Sequence, residues 1–302
     1  MIHKCTICGR RLKLYKESNY SKGQVTSFAY SSRKIPEYMH WDLYECKSCR
    51  VLYSDCPIDI NDIFSKYEGA SYDSSEEADY ASITYFNYLN KMLPEYPKNK
   101  ALDIGTGNGS YLFMLSKAGV RKTIGIEPSK EPIKHANPAI KDKIINSPFR
   151  VGMFGNAEFD MVSLFQTIEH VPNSVKLFRE VYRILSEGGY FYVICHNYLS
   201  FVNRIMGMKS PIYDIEHLQI FSKKSIIRLM KRAGFKDIKV FTIKNRYPLK
   251  YWIKLLPLPF ISKKRMIHFF ENSTAGNKLI GINVGNVGII ARKGLYDVQS
   301  LF

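Results

Sequence analysis

The sequence predicts an α/β chain, a mostly parallel sheet flanked by helices and preceded by a small cysteine-bearing module. Three observations carry this expectation. From Lys100 onward, short apolar runs alternate with amphipathic helical stretches, the pattern of successive βαβ units. A glycine-rich turn, Gly105-Thr106-Gly107-Asn108-Gly109, follows the first of these runs. Ahead of both stand two C-x-x-C hooks, Cys5/Cys8 and Cys46/Cys49. With 302 residues, 45% of them apolar and 14% aromatic, the chain can bury a sizeable core, which excludes wholesale disorder.

The hooks define a module over residues 1–56. A C-x-x-C turn offers two thiolates to one metal, and two such turns close a tetrahedral four-cysteine zinc site. A filled site of this kind has no open position, so its expected role is folding rather than catalysis. The 37 residues between Cys8 and Cys46 exceed the usual spacing of about 15–20, so a hairpin or loop must sit between the hooks. Cys56 and Cys195 are left over, and His3 and His40 stand near as substitute ligands. Residues 57–98 read as a linker and a helical segment. Tyr85, Tyr88, Leu89 and Met92 recur at i, i+3, i+4 and i+7, and Pro94 and Pro97 close the stretch.

From residue 99 the main domain follows element by element. Ala101–Ile104 is a short buried strand, the glycine turn follows, and a helix runs from Ser110 to Lys117 before Gly119. Thr123–Ile126 is the next strand, ending in Glu127, with Pro128 placed to start a helix. Phe159–Phe165 is a further strand. Leu177, Phe178, Val181, Tyr182 and Leu185 share one face of a helix over 175–185, which Gly188-Gly189 should end before a strand over 190–195. The glycine spacing is G-x-G-x-G, so the last glycine of the dinucleotide pattern is replaced by Ser110. Asp103, two residues before the first glycine, would repel a pyrophosphate but suits an ammonium or sulfonium. That points away from NAD and towards S-adenosylmethionine, with Glu127 placed to accept hydrogen bonds from a ribose diol.

LDIGTGNG, GIEPS, FDMVSLFQTIEHVPN and LFREVYRILSEGGYFYVICHN, in this order, resemble the successive motifs of the class I S-adenosylmethionine-dependent methyltransferases. The likeness is closest to the bacterial small-molecule and sugar-type branch with an N-terminal CxxC…CxxC zinc module. It covers about residues 99–240, and NVGIIARK at 286–293 is similar to the family's last strand. The resemblance implies a Rossmann-like, seven-stranded, mostly parallel sheet over 99–302 with the cofactor across the C-terminal strand ends. By position, Asp103, Gly105, Thr106, Gly107, Asn108 and Gly109 would line its methionine and ribose portions, and Glu127 with Pro128 would hold the ribose. The stretch from Gln166 through Thr167 and Glu169 to His170 would lie beside the methyl. The family's adenine-side acid has no match, and Ser147 and Phe149 stand there instead.

A hydroxyl or carbon acceptor also needs a base, and histidine suits neutral pH. His217, His196 and His170 are the candidates, His217 first because YDIEHLQIFSKKSI resembles a stretch of sugar C-methyltransferases that carries a base there. That family has a further C-terminal half with no counterpart in this sequence. A [DNS]-P-P-[YF] tetrad, the mark of exocyclic-amine methylases of nucleic acids, has no counterpart in FQTIEH.

Formal charge is +17, and its placement is uneven: +5 over 1–56, −2 over 57–200 and +14 over 201–302. A basic, aromatic insertion at about 246–284 therefore reads in three ways: a cover over the acceptor, a trap for an anionic or lipid-linked acceptor, or a peripheral membrane contact. Within it, Trp252, Leu255 and Leu256 should share a helical face opposite Lys250 and Lys254. The leading expectation is methyl transfer to a small-molecule hydroxyl or sugar-type acceptor. An rRNA or tRNA methyltransferase, opposed by the near-neutral middle, and a non-catalytic cofactor-binding scaffold are the rivals. MIHKCTICGRR lacks the apolar core of a secretory signal, and no run reaches the ~18 apolar residues of a spanning helix, so a cytoplasmic chain is expected.

Overall fold

The computed structural model describes residues 4–20, 38–57, 75–256, 260–271 and 273–294. The cysteine module contributes β1 (Lys13–Lys16), β2 (Leu43–Cys46) and β3 (Val51–Ser54). Then come α1 (Ser75–Met92), β4 (Lys100–Ile104), α2 (Ser110–Lys117), β5 (Lys122–Ile126), α3 (Lys130–Lys134), α4 (Pro138–Lys141), β6 (Ile144–Ile145) and β7 (Phe159–Phe165). The second half has α5 (Ser174–Ile184), β8 (Leu185–His196), α6 (Phe201–Met206), β9 (Gln219–Ile220), α7 (Lys223–Ala233) and β10 (Phe235–Thr242). It closes with β11 (Asn245–Pro248), α8 (Leu249–Lys254), α9 (Phe260–Glu271), β12 (Leu279–Ile282) and β13 (Asn286–Lys293).

The main sheet has seven strands in the order β10-β13-β8-β7-β4-β5-β6. The pairs β4–β5, β4–β7, β5–β6 and β7–β8 are parallel, whereas β13 runs antiparallel to both β8 and β10. Burial on both faces explains the continuous apolar runs of the central strands. One face packs Phe178, Val181, Leu229 and Phe235 with the cysteine module; the other packs Tyr85, Leu89, Tyr111, Tyr192 and Trp252. The chain order reverses between β4 and β7, so the C-terminal strand ends there form the crevice in which such sheets take ligands.

Local chemistry sets several boundaries. Ser222 caps α7 through a reciprocal exchange with Ser225, and Gly234 ends it in the left-handed region at φ 101°. Pro128 does not open a helix: Ser129 is the N-cap of α3 and Lys130 its first residue, because the Glu127 carboxylate accepts the Ser129 N–H and draws the chain into a turn. The helix over 175–185 stops one residue early, and Leu185 is the first residue of β8, opposite Phe159. Gly188-Gly189 lies inside that strand. Gly188 has φ 74°, and the β7–β8 register shifts between Phe159 and Met161, so the glycines serve an irregularity in the ladder rather than a helix stop. The expected linker is described only from Ser75 onward; there α1 buries Tyr85 and Leu89 as its stripe requires.

The module is not a separate bead. β3 pairs antiparallel with β9 in a four-stranded sheet ordered β1-β2-β3-β9. The strand that completes it thus comes from the segment between the two halves of the main sheet.

Candidate active site

The C-terminal ends of β4, β5, β7 and β8 open into one cavity of about 790 Å³. Its cofactor-side wall is the glycine turn. Gly105, Gly107 and Gly109 have φ of 75°, 60° and 72°. At Gly105 the left-handed backbone coincides with a close approach, since a Cβ there would overlap the Thr167 side chain. Gly105 and Thr106 both donate their N–H groups to Ile126 O, at 2.8 and 3.0 Å, which pins the turn to the end of β5.

Two buried carboxylates face this turn. Glu127 Oε2 accepts the Gly107 N–H and its Oε1 accepts the Ser129 N–H, each at 2.9 Å. The Ser129 side chain also hydrogen-bonds this carboxylate, and with about four acceptor positions it keeps capacity for a ligand hydroxyl. Burial pushes the Glu127 pKa up, and the backbone donors oppose that shift. Asp103 accepts the Ser163 hydroxyl at 2.6 Å, and burial pushes its carboxyl up to about 7, with the Ser163 hydrogen bond acting against the rise. An acid held near neutrality beside the cavity becomes charged most readily when a cation enters. The site therefore fits a ligand with a diol at one end and a positive charge nearby.

The opposite wall carries three imidazoles. The ring centroid of His217 lies 4.8 Å from that of His170 and 5.3 Å from that of His196, and all three line the cavity. Nδ1 of His217 is 2.9 Å from Ile212 O and Nδ1 of His170 is 3.2 Å from Glu216 O. A carbonyl only accepts, so Nδ1 carries the proton in both rings and Nε2 is the basic nitrogen. His196 Nδ1 is 2.9 Å from Asn286 Oδ1, while Asn286 Nδ2 donates to Asn245 Oδ1 at 3.2 Å, giving His196 the same tautomer. Burial lowers the His170 pKa, with Glu216 and Glu169 opposing, which keeps that ring neutral at pH 7.

The family of methyltransferase domains matches residues 77–240, more than half of the chain. The chain belongs to the S-adenosylmethionine-dependent methyltransferases. Among its relatives, an uncharacterized protein of Methanocaldococcus jannaschii is 28% identical over 180 residues, 59% of this chain and 82% of that one. A tRNA U34 carboxymethyltransferase of Campylobacter fetus is 23% identical over 224 residues, 66% of this chain and 77% of that one. A solved SAM-dependent methyltransferase of Archaeoglobus fulgidus aligns over 78% of this chain and all of that one, at 18% identity and TM-score 0.49.

In this methyltransferase, Asp103, Gly105, Thr106, Gly107, Asn108, Glu127, Pro128, Gln166 and Thr167 all line the cavity, as do Phe149 and the three histidines. Three of the sequence-derived positions, Ser147, Gly109 and Glu169, do not. Ser147 turns its hydroxyl to Pro148 O at 3.0 Å. Gly109 lies behind the turn, where a Cβ would run into Ile140 and Ile144. Glu169 is fully buried beneath the wall, where Oε1 accepts the His196 N–H at 2.6 Å and its backbone O accepts the Leu218 N–H at 2.8 Å. It holds the histidine-bearing segments instead of facing the cavity. Ser163 and Asp79 escape sequence reasoning. Asp79 accepts the Asn108 amide at 3.0 Å and also the Ser110 hydroxyl, but its carboxylate sits inside an ordinary acidic helix start with no local mark.

The basic, aromatic insertion supplies part of the cavity wall. Tyr247, Tyr251, Trp252 and Leu255 line the cavity, and Trp252 Nε1 donates to Ile280 O at 2.9 Å. The α8 helix ends at Lys254, so Leu256 leaves the apolar face and is 42% exposed. Lys250 and Lys254 pair with Glu76 and Glu77 at the start of α1, at 3.2 and 3.6 Å. Those two cations therefore brace this wall against the body of the methyltransferase. Pro257 and Pro259, which the sequence offers as the stop of this helix, lie outside the described residues. Among the described residues, no helix is long and apolar enough to cross a membrane.

The two hooks converge, and none of their four cysteines lines the cavity. One sulfur from each of Cys5, Cys8, Cys46 and Cys49 lies within 4.8 Å of the others, and Cys8 Sγ is 3.6 Å from Cys46 Sγ. A tetrahedron with Zn–S near 2.3 Å has S···S edges of about 3.8 Å, so the donor set fits zinc. Cys195 is fully buried, and burial raises its thiol pKa, so it is part of the core.

Proposed function

We propose that this methyltransferase transfers a methyl group to a hydroxyl of a small, sugar-type acceptor, with His217 as the base. The observation that carries the reading is the composition of the acceptor wall: three imidazoles with Nδ1 held by carbonyl or amide oxygens, in a cavity with an aromatic wall. Bound S-adenosylmethionine would supply an electrophilic methyl on a sulfonium. Asp103 would balance that positive charge, and Glu127 would take the ribose hydroxyls. His217 Nε2 would accept the acceptor proton, and Ile212 O fixes the ring that does so. Asp214 and Glu216 also line the cavity. These two carboxylates flank His217 in the chain and suit acceptor hydroxyls as hydrogen-bond donors, while the cavity's cations, Arg150 and Lys176, come from other segments.

Replacing His217 by Ala is expected to lower turnover by about 10²–10⁴-fold while S-adenosylmethionine affinity stays within about twofold. Turnover at the normal rate on the true acceptor would remove His217 as the base and pass the role to His196 or His170. An RNA acceptor is the competing reading, favoured by the tRNA-modifying relative and by the excess of basic residues over 201–302. The aromatic wall of the cavity suits an acceptor enclosed whole. Salt-dependent retention of RNA by the full chain would turn the assignment towards RNA.

The four cysteines are proposed to hold one structural zinc. Metal analysis of the purified chain should find about one zinc per molecule, and its absence would remove this part of the reading.

A further inference from the structure

We propose that the cysteine module positions the acceptor-side histidines: the metal-held turn fixes β3, and β3 fixes the segment that carries His217. The proposal rests on the zinc and His217 readings above. Cys46 ends β2, and Cys49 stands two residues before β3 begins at Val51. The β3 strand pairs with β9 through Leu52↔Ile220 and Tyr53↔Gln219. The Ser54 N–H donates to Leu218 O at 2.9 Å, one residue past His217. Leu218 returns its own N–H to Glu169 O at 2.8 Å, one residue before His170. Asn197, one residue past His196, bridges to Phe221 at the far end of β9. The backbones of all three histidines are thus tied to the two residues, Leu218 and Phe221, that flank this two-residue strand.

A strand that short has no independent stability, and β3 is its ladder partner, while the Gln219 side chain bonds Ser174 and Val171 O. The hooks hold it from the helix side as well. Arg228 of α7 donates to Ser48 O at 2.7 Å and to Cys49 Sγ at 3.4 Å, and Ser222 Oγ donates to Arg50 O at 2.5 Å. Tyr53 OH lies 3.3 Å from Cys5 Sγ, which links β3 to the first hook. The glycine turn takes its support from elsewhere, from Ile126 O and from Asp79 of α1. Loss of the metal should therefore loosen the acceptor wall and spare the cofactor wall.

The test removes metal from the full chain with a chelator, follows metal content, and reads hydrogen exchange over residues 217–222 beside calorimetric titration with S-adenosylmethionine. Exchange over 217–222 is expected to speed up at least tenfold while cofactor affinity changes less than twofold. In a chelated chain that stays folded, unchanged protection, or cofactor affinity lost in step with the metal, overturns the proposal. Ser54→Pro serves as the second variant, and decides the matter if the chelated chain unfolds. It deletes the donor to Leu218 O at the last residue of β3 and leaves the cysteines intact. It should keep its metal, show the same loss of protection over 217–222, and shift the imidazole NMR signals of His217. A metal-loaded Ser54→Pro chain with native protection overturns the proposal. The three readings fail separately: metal content tests the zinc, His217→Ala turnover tests the base, and exchange tests the coupling.

Discussion

Asp103→Asn is expected to weaken S-adenosylmethionine binding by about a hundredfold or more and to flatten its pH dependence. The carboxyl is buried, and burial holds its pKa at about 7 in the ligand-free chain. A cation placed against it favours the ionised form, so binding releases a proton, and wild-type affinity should rise as pH climbs through about 7. Leaving a buried charge without its partner costs about 3–5 kcal/mol, which is a hundredfold or more in affinity. Calorimetry at pH 6 and pH 8, in buffers of different ionisation enthalpy, measures both effects. A variant that binds as tightly as wild type at pH 8 would remove Asp103 as the partner of the positive charge. Stability shifts with the opposite sign. Below the ordinary Asp pKa of 3.8 both folded and unfolded chains hold the proton, and between 3.8 and about 7 only the folded chain does. This stabilising contribution is lost as pH rises through about 7. The neutral Asn variant lacks that loss, so its melting temperature should fall less between pH 6 and 8 than that of wild type.

Gly105→Ala is expected to abolish measurable cofactor binding and to destabilise the chain by about 3 kcal/mol. Two costs coincide there. An L-residue in the left-handed region loses about 1–2 kcal/mol, and overpacking against Thr167 adds about 1–3 kcal/mol. Denaturant unfolding gives the stability and calorimetry gives the binding. Adding Thr167→Gly should recover the packing part of the loss and none of the backbone part. A double variant no better than Gly105→Ala would mean that the steric account of this turn is wrong. Gly107, with nothing within 4 Å of its would-be Cβ, separates the two terms, because Gly107→Ala meets the backbone cost alone.

The elements that were legible in advance are those whose signal is local. The turn Gly105–Gly109, the strand over Phe159–Phe165 and the last strand at 286–293 follow from apolar runs punctuated by glycine and polar residues. Where two local signals competed, tertiary pairing decided. Gly188-Gly189 has the composition of a helix stop, yet the ladder to β7 draws it into β8. The helical stripe that included Leu256 ends at Lys254, and the chain turns out to solvent beyond it. Glu169 carries the position of a ligand-facing residue in its motif and is turned inward by the His196 N–H, a partner supplied by another strand.

The cations of the insertion make the same point about charge. Lys250 and Lys254, read along the sequence, are as consistent with a phosphate or a membrane as with anything else. Glu76 and Glu77 stand far away in the chain but adjacent in space, and they take these two ammonium groups.

By itself the sequence determined the α/β character of the chain, the donor type and spacing of its four-cysteine cluster, and a carboxylate-flanked glycine turn suited to a cationic ligand. Each is a matter of residue type within a few positions, which is the range over which backbone preference and side-chain periodicity act. Tertiary structure alone decided that three histidines from separate segments share one wall, that the basic insertion lines the cavity, and that the cysteine module joins the strand beside His217. Those are choices of partner between segments distant in the chain, and packing and long-range hydrogen bonds make them.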